Sequence, residues 1–212
     1  MWRAGGWYKR FVLWAVDENG DQRLEATPGA EAFCPGCTGP VRAHCGEIKR
    51  WHWHHVNADC DPWHEPETEW HLAWKRRFPD EWCEFWLHTH RADVRNHLGT
   101  VVEFQHSSLS LAEIVEREKY WQDLIWVFDA REWFSNLELK LQPDKITFRW
   151  KQPRKSLFAV ERPLLFDTGS ELFEVLFLGK KVPCGGSGRF IPYRYFEERI
   201  NRGSRFGWLA TG

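Results

Sequence analysis

The chain has no run of apolar residues long enough to cross a lipid bilayer, and its first stretch, MWRAGGWYKRF, lacks the apolar core of a signal peptide. These absences predict a cytoplasmic protein that does not bind membranes. A phosphate-binding loop is also missing, because GGSG at 185–188 contains no Gly-Lys-Ser or Gly-Lys-Thr. We interpret this stretch as a flexible turn.

The formal net charge is only −1, but the charge is unevenly distributed. Residues 1–130 hold 14 Lys and Arg against 21 Asp and Glu, whereas residues 131–212 hold 15 against 9. An acidic half can bind metal cations and a basic half can attract a polyanion, as a phosphodiesterase requires. A solvated basic surface is the alternative interpretation of the second half.

Cysteine is sparse, with six residues, and in a reducing compartment we expect them to be thiols. Two of them form a CxxC pair, and a His-rich segment follows at a distance typical of zinc sites. The candidate ligands are Cys34, Cys37, His52, His54, His55, Cys60 and His64. Two thiolates and two imidazoles predict a structural zinc ion that contributes folding energy. A second CxxC pair is absent, which argues against an HNH-type nuclease.

The segment PETEWHLAWKRRF at 66–78 predicts a helix with acidic residues at its start and basic residues at its end. Helical spacing puts Glu67, His71 and Lys75 on one face. An apolar stripe on the adjoining face predicts contact with the core; its members are Trp70, Trp74 and Phe78.

Two strands are predicted next, at 90–96 and 100–105, joined by a short turn. Side chains alternate between the two faces of a strand. Asp93 on the first strand can therefore meet Glu103 on the second, and Gln105 lies on the same face as Glu103. Carboxylates in so apolar a strand are costly unless compensated, which favours a divalent metal. The alternative is an ion pair with Arg91 or Lys75.

A second helix is predicted at 111–121, with Ser110 and Glu113 as a capping box, followed by a buried strand at 123–129. Arg117 on this helix is expected either to bind a phosphate or to pair with Glu113. The sequence gives both interpretations equal support.

The order of these residues resembles that of the competence-protein CoiA-like family. The matching positions are Glu67, Thr68, His71, Lys75, RAD at 91–93, EFQ at 103–105, Arg117, Tyr120 and IWV at 125–127, with CPGC and HWHH upstream. The resemblance covers about residues 30–130. It implies the PD-(D/E)XK nuclease superfamily, whose core is a helix, a three-stranded meander, a helix and a further strand.

This resemblance implies Mg²⁺ or Mn²⁺ between Asp93 and Glu103, with the Phe104 carbonyl in reach and Glu67 adding a ligand. Glu69 could replace Glu67, although the resemblance favours Glu67. It also implies that the zinc ligands are Cys34, Cys37, His52 and His55, while His54, Cys60 or His64 could substitute.

The sequence departs from the superfamily motif at Gln105, which stands where (D/E)XK has Lys. CoiA-like and some related nucleases share this replacement. A Gln amide can orient water but cannot deprotonate it. We expect Lys75 or His71 to supply the missing positive donor.

The remaining regions carry weaker patterns. Residues 8–26 predict a hairpin with a two-residue Asn-Gly turn. LELKL, KITFRWKQ, SLFAV and ELFEVLFL after residue 136 predict strands, and YRYFEERINR predicts a helix. A basic cluster interleaved with aromatics is typical of nucleic-acid binding, or of strands with a solvated face; it comprises Lys145, Arg149, Lys151, Arg154 and Lys155.

The expected architecture is therefore α/β (α+β), with a small zinc-binding β segment, a PD-(D/E)XK restriction-endonuclease-like core and a β-rich end. The expected boundaries are 1–62, 63–135 and 136–212. The predicted function is a metal-dependent nuclease acting on DNA in recombination, competence or defence, with Arg117, Lys151, Arg154 and Lys155 as nucleic-acid contacts. The alternative is a non-catalytic zinc-containing DNA-binding accessory protein. Strandedness of the substrate, a partner protein and pairing of two chains are left open.

Overall fold

The computed structural model describes residues 11–47, 51–56, 63, 68–88, 90–143, 145–203, 206 and 210–211. Within these residues the fold is mixed α+β, dominated by sheets, with three α-helices. The chain divides into two compact units: Met1–Ala73 with Glu84–Ala92, and Trp74–Cys83 with Asp93–Gly212. The three-segment division expected from sequence stays a prediction.

The first unit contains a six-stranded sheet in the order β1-β6-β5-β4-β2-β3. Its strands are β1 (Phe11–Val12), β2 (Trp14–Val16), β3 (Arg23–Glu25), β4 (Glu31–Phe33), β5 (Pro40–His44) and β6 (His52–His55). All the pairings are antiparallel. A small apolar cluster around Val41, Trp53 and Cys34 forms its core. The short strands and small core make a metal ion a plausible source of added stability.

The predicted first hairpin forms, but its turn is wrong. The last paired residues are Val16 and Arg23, so the connection comprises residues 17–22 instead of a two-residue Asn-Gly turn. The Asp17 carboxylate accepts the Asp21 amide at 2.9 Å, which stabilises the longer loop. Gly20 adopts the positive φ of 80° that this loop requires.

The chain between residues 66 and 130 contains the two helices and three strands that local patterns predict, and one further strand, β7 (Cys83–Leu87), that they did not place. The predicted elements are α1 (Glu69–Lys75), β8 (His90–Arg95), β9 (Val101–Gln105), α2 (Leu111–Tyr120) and β10 (Leu124–Asp129). Ser110 and Glu113 form the predicted capping box at the start of α2. β9 pairs antiparallel with β8 and parallel with β10. Every residue of β9 and β10 is buried.

The carboxyl-terminal region adds six strands and one helix to the described structure. These are β11 (Leu137–Leu141), β12 (Ile146–Trp150), β13 (Leu164–Asp167), β14 (Leu172–Leu178), β15 (Cys184–Ile191), α3 (Tyr193–Arg202) and β16 (Ala210–Thr211). The larger sheet has the order β11-β12-β15-β14-β13-β10-β9-β8-β7, with β16 beside β14. None of the helices in the described ranges combines the length and the apolar character needed to cross a membrane.

Two sequence predictions in this region are wrong. GGSG at 185–188 is not a turn, because it lies within β15 and pairs with both β12 and β14. SLFAV is not a strand, because Lys155–Ala159 forms a 3-10 helix. Further 3-10 turns occur at Asp80–Trp82 and Phe134–Asn136.

Candidate functional site

The Asp93 carboxylate on β8 is held at both of its oxygens. Its Oδ1 lies 3.2 Å from the ammonium nitrogen of Lys75, and Oδ2 accepts the backbone amide of Phe104 at 2.9 Å. The Lys75 side chain is only 3% exposed. A buried ammonium needs such a partner, so the predicted ion-pair alternative with Lys75 forms in this structure. Arg91, the other predicted partner, instead lies 3.3 Å from Glu84 within the first unit.

Glu103 on β9 is the second predicted carboxylate. The pairing of β8 with β9 runs from Arg95 with Val101 to Val94 with Val102. Beyond it, the Phe104 amide donates to the Asp93 side chain, so Asp93 lies next to the backbone that follows Glu103. That the two carboxylates meet at one point stays a prediction. Glu103 is buried, as the apolar neighbours on its strand predict.

Arg117 has a partner that neither sequence interpretation predicts. Its Nη1 lies 3.5 Å from Glu103 Oε2, and both side chains are buried. Glu113 is engaged instead in the capping box with Ser110, whose amide donates to it at 2.7 Å. In this structure the Arg117 guanidinium is bound to Glu103, and the prediction that it contacts a phosphate stays a prediction.

Gln105 lies at the end of β9, on the same side of the strand as Glu103. Its side-chain amide donates to the Ser107 carbonyl at 3.0 Å, and the residue is only 1% exposed. This hydrogen bond fixes which way the amide points. Gln105 can thus act as an oriented, neutral polar group beside the carboxylate pair.

The four helix residues considered for the site do not lie together in the described structure. Lys75 lies beside Asp93, as described above. His71 belongs to the first unit and is buried, with its Nδ1 2.8 Å from the Thr68 hydroxyl. Glu67 lies outside the described residues, and Glu69 begins α1.

Sequence reasoning missed a polar cluster at the carboxyl ends of β10 and β13. Asp129 and Asp167 are paired in register there. The Asp129 carboxylate lies 2.8 Å from His106 Nδ1 and accepts hydrogen bonds from Nε and Nη2 of Arg131. The Asp167 carboxylate accepts hydrogen bonds from Trp74, Gly169 and Tyr193. A buried strand ending in Asp was the available signal, but the second strand was not predicted.

These contacts change the acidity of two groups in the cluster. Burial acts to raise the pKa of Asp129, but the hydrogen bonds from Arg131 and His106 outweigh it and lower the pKa. Burial raises the pKa of Tyr193 strongly, and its hydrogen bond to Asp167 adds to the effect. Asp129 is thus an ion-paired carboxylate whose partners are in place, which suits a structural role.

Three of the four predicted zinc ligands lie together in the first unit. The sulfurs of Cys34 and Cys37 and a ring nitrogen of His55 lie within 4.8 Å of one another. The amides of Gly36 and Gly39 point at the two sulfurs, at 3.4 Å each. Amide donors of this kind stabilise thiolates, so the loop is suited to a metal ion.

The prediction that His52 is the fourth ligand is wrong in this structure. His52 instead lies in a separate group with His44 and His54. The cause is the two-residue period of β6, which puts His52 and His54 on one face of the strand and His55 on the other. Cys60 and His64, the other sequence candidates, lie outside the described residues.

The CPGC loop also depends on a close approach that the spacing alone does not reveal. A Cβ at Gly36 would lie only 2.0 Å from the indole of Trp86. The loop therefore requires glycine at this position, because any larger side chain would displace it from the Trp86 ring.

The predicted basic cluster is partly neutralised. Lys151 pairs with Glu138 at 2.5 Å, and both side chains are well exposed. The Arg154 guanidinium lies 4.7 Å from the ring centre of Trp133, which is within the range of a cation–π contact. Lys155 is exposed at the start of the third 3-10 turn.

Comparisons with models of protein families, with curated proteins and with solved structures find no match to this chain. The resemblance to the CoiA-like family therefore rests on the residues quoted from the sequence.

Proposed function

We propose that this protein is a divalent-metal-dependent nuclease that hydrolyses phosphodiester bonds of DNA. The observation that supports the proposal is the hydrogen bond from the Phe104 amide, next to Glu103, to the Asp93 carboxylate, with the oriented amide of Gln105 on the same strand. Carboxylate oxygens from neighbouring strands are the kind of ligand that a hard cation takes.

The order of elements supports the nuclease-like core. α1, the strands β7, β8 and β9, then α2 and β10 follow the sequence helix, three strands, helix, strand. The same order belongs to the PD-(D/E)XK superfamily that the residues resemble. The parallel pairing of β9 with β10 agrees with a strand that returns through α2.

The donor set fits Mg²⁺ or Mn²⁺, because Asp93 and Glu103 offer carboxylate oxygens. When bound, such an ion lowers the pKa of an attacking water and offsets charge that builds on the phosphate. Lys75 lies beside Asp93 and Arg117 beside Glu103, so each of these cations compensates the charge of one carboxylate. Gln105 orients water or a phosphate oxygen through its amide, while Lys75 supplies the positive donor that the missing motif Lys would provide.

We assign a structural zinc ion to Cys34, Cys37 and His55. Thiolate and imidazole ligands suit zinc, and the amides aimed at both sulfurs supply outer-shell support. A closed site needs a fourth ligand, for which the sequence offers Cys60 and His64.

The basic half of the chain is assigned to DNA attraction in a cytoplasmic protein. Lys155 and Arg154 remain the better candidates for phosphate contacts, because Lys151 already pairs with Glu138. An exposed ion pair of this type is weak, so Lys151 can exchange Glu138 for a phosphate at little cost. Arg117 stays a proposed phosphate contact, although its guanidinium is bound to Glu103 in this structure.

A second candidate is a non-catalytic DNA-binding accessory protein. The pairing of Asp93 with Lys75 and of Glu103 with Arg117 favours it, since each carboxylate already has a compensating cation. In that case the strands would retain a nuclease-like shape without turnover.

Cleavage of end-labelled single- and double-stranded DNA separates the two candidates. The zinc-loaded protein is dialysed free of other cations and assayed with and without Mg²⁺ or Mn²⁺; chelators are omitted because they would strip zinc. Products that require the added cation support the nuclease. DNA binding with no product under any cation would leave the accessory role.

A further inference from the structure

A second group of metal-ligating side chains lies in the first unit, separate from Cys34, Cys37 and His55. His44, His52 and His54 each offer a ring nitrogen, and these atoms lie within 4.8 Å of one another. The Nε2 atoms of His52 and His54 are only 2.8 Å apart. Three imidazole nitrogens thus converge on one point at the surface of a sheet.

Strand geometry explains this convergence. His52 and His54 are two residues apart on β6 and share a face, and His44 on β5 pairs directly with His52. His55 lies on the opposite face with Cys34 and Cys37. One strand therefore contributes ligands to two separate groups.

We propose that His44, His52 and His54 form a second metal site, selective for a borderline transition ion such as Zn²⁺ or Co²⁺. Neutral imidazoles are the preferred ligands of these ions, whereas Mg²⁺ prefers oxygen. Three protein ligands leave a fourth position open to water, unlike the closed site expected at the cysteines. This proposal does not depend on the proposed nuclease activity.

The charge around the group permits a cation to bind. Arg42 lies on the same face, because it pairs in register with His54. Its guanidinium is bound to the Glu31 carboxylate at 2.9 Å, so the pair adds little net charge. Among the described residues of β4, β5 and β6, this pair therefore adds no large repulsion to a bound cation.

Only small adjustments are needed to close the site. Two nitrogens bound to one tetrahedral zinc ion lie about 3.3 Å apart, so the His52 and His54 rings must separate slightly. The rings of His44 and His54 are stacked, with centres 4.1 Å apart. His44 must rotate out of this stack to direct its nitrogen at the ion, and it can do so because its side chain is exposed.

The test is a Co²⁺ titration of the full chain after its tight zinc site has been loaded. Binding to three imidazoles should produce visible d–d absorption without thiolate-to-cobalt charge transfer, with one additional ion per chain. His44→Ala and His54→Ala should each weaken this binding by at least about tenfold, because each removes one of three ligands. His97→Ala is the matched control, since it removes an exposed imidazole in the second unit.

Each result decides the question. One extra Co²⁺ that is lost in both histidine variants and retained in the control supports the site. No extra Co²⁺ in the wild type, or unchanged binding in both variants, overturns it. Charge-transfer absorption alone would also overturn it, because the ion would then have replaced zinc at the cysteines.

Discussion

Arg117 Nη1 lies 3.5 Å from Glu103 Oε2, and both side chains are at least nine-tenths buried. The sequence predicted an arginine that binds a phosphate or pairs with Glu113, and a glutamate that binds metal, yet the structure joins Arg117 on α2 to Glu103 on β9. Glu103 therefore has two roles to separate by experiment: neutralising a buried guanidinium and binding a cation.

The first role predicts a stability loss for Glu103→Ala. Removing the carboxylate takes away the charge that compensates the buried Arg117, which should lower the free energy of unfolding by about 3 kcal/mol. Urea denaturation measures this change. Adding Arg117→Met to the same chain should restore most of the loss; if the double variant is no more stable than Glu103→Ala, the ion pair does not explain the effect.

Gln105 is predicted to act in catalysis through its amide. Gln105→Ala should lower single-turnover cleavage by about 10²–10³, the usual loss for one preorganised donor, with metal affinity retained. Gln105→Lys should keep part of the activity, because an ammonium donor can reach the same region.

The control for this prediction is Ser107→Ala, which keeps the backbone carbonyl that accepts the Gln105 amide. It should cleave at the wild-type rate. An Ala variant at position 105 that cleaves as fast as wild type would remove Gln105 from the mechanism.

The structure and the sequence agree on Cys34 and Cys37 as zinc ligands and make opposite predictions for His52. Cys34→Ser or Cys37→Ser should release the tightly held zinc and unfold the first unit, because structural zinc couples binding to folding. His52→Ala should retain that zinc, since His52 lies on the other face of β6.

Elemental analysis after gel filtration and circular dichroism provide the measurements. Cys45→Ser is the control thiol, because Cys45 lies in the same unit but outside the ligand group. Loss of the tight zinc in His52→Ala would restore the ligand set expected from sequence.

Two buried carboxylates predict opposite pH dependences of stability. Burial acts to raise the pKa of Asp129, but its Arg131 and His106 hydrogen bonds lower it overall. The stabilisation is therefore present above the unfolded value of about 3.9 and is lost as the pH falls through the folded value. Asp129→Asn should make the acid side of the stability curve shallower.

Glu118 provides the opposite sign. Burial raises its pKa despite hydrogen bonds from Glu161, Trp126 and Arg162. Its stabilising contribution is present below about 4.3 and is lost as the pH rises through the folded value. Glu118→Gln should remove this loss of stability at higher pH. Chemical denaturation across a range of pH measures it for Asp129→Asn and Glu118→Gln. If both variants changed the acid side of the stability curve, or both the other side, the two opposite pKa shifts would be rejected.

Local patterns predicted the elements nearest the proposed nuclease site. Alternation and flanking turns located β8 and β9, and Ser110 with Glu113 correctly marked the start of α2. These features depend on residues close together in the chain. The Asp93–Lys75 ion pair could also be predicted, because strand and helix periodicity indicate the face on which each residue lies.

The errors come from packing that short patterns cannot reveal. The glycines at 185–188 predict a turn from sequence, but they lie within β15. A Cβ at Gly186 would lie 2.1 Å from the Phe148 ring, and a Cβ at Gly188 would lie 2.4 Å from the Glu174 carbonyl oxygen. They permit close strand packing instead. Ligand spacing predicts His52 as a zinc ligand, but the two-residue period of β6 puts its side chain on the face opposite His55.

The central claim is that Asp93 and Glu103 form the metal-dependent cleavage site. The most direct measurement is the single-turnover cleavage rate of labelled DNA at saturating Mg²⁺ for wild type, Asp93→Asn, Glu103→Gln and the exposed control Glu116→Gln. We expect no detectable cleavage by the two site variants at unchanged DNA affinity, and wild-type rates for the control. Metal-dependent cleavage that persists in Asp93→Asn and Glu103→Gln would contradict the account.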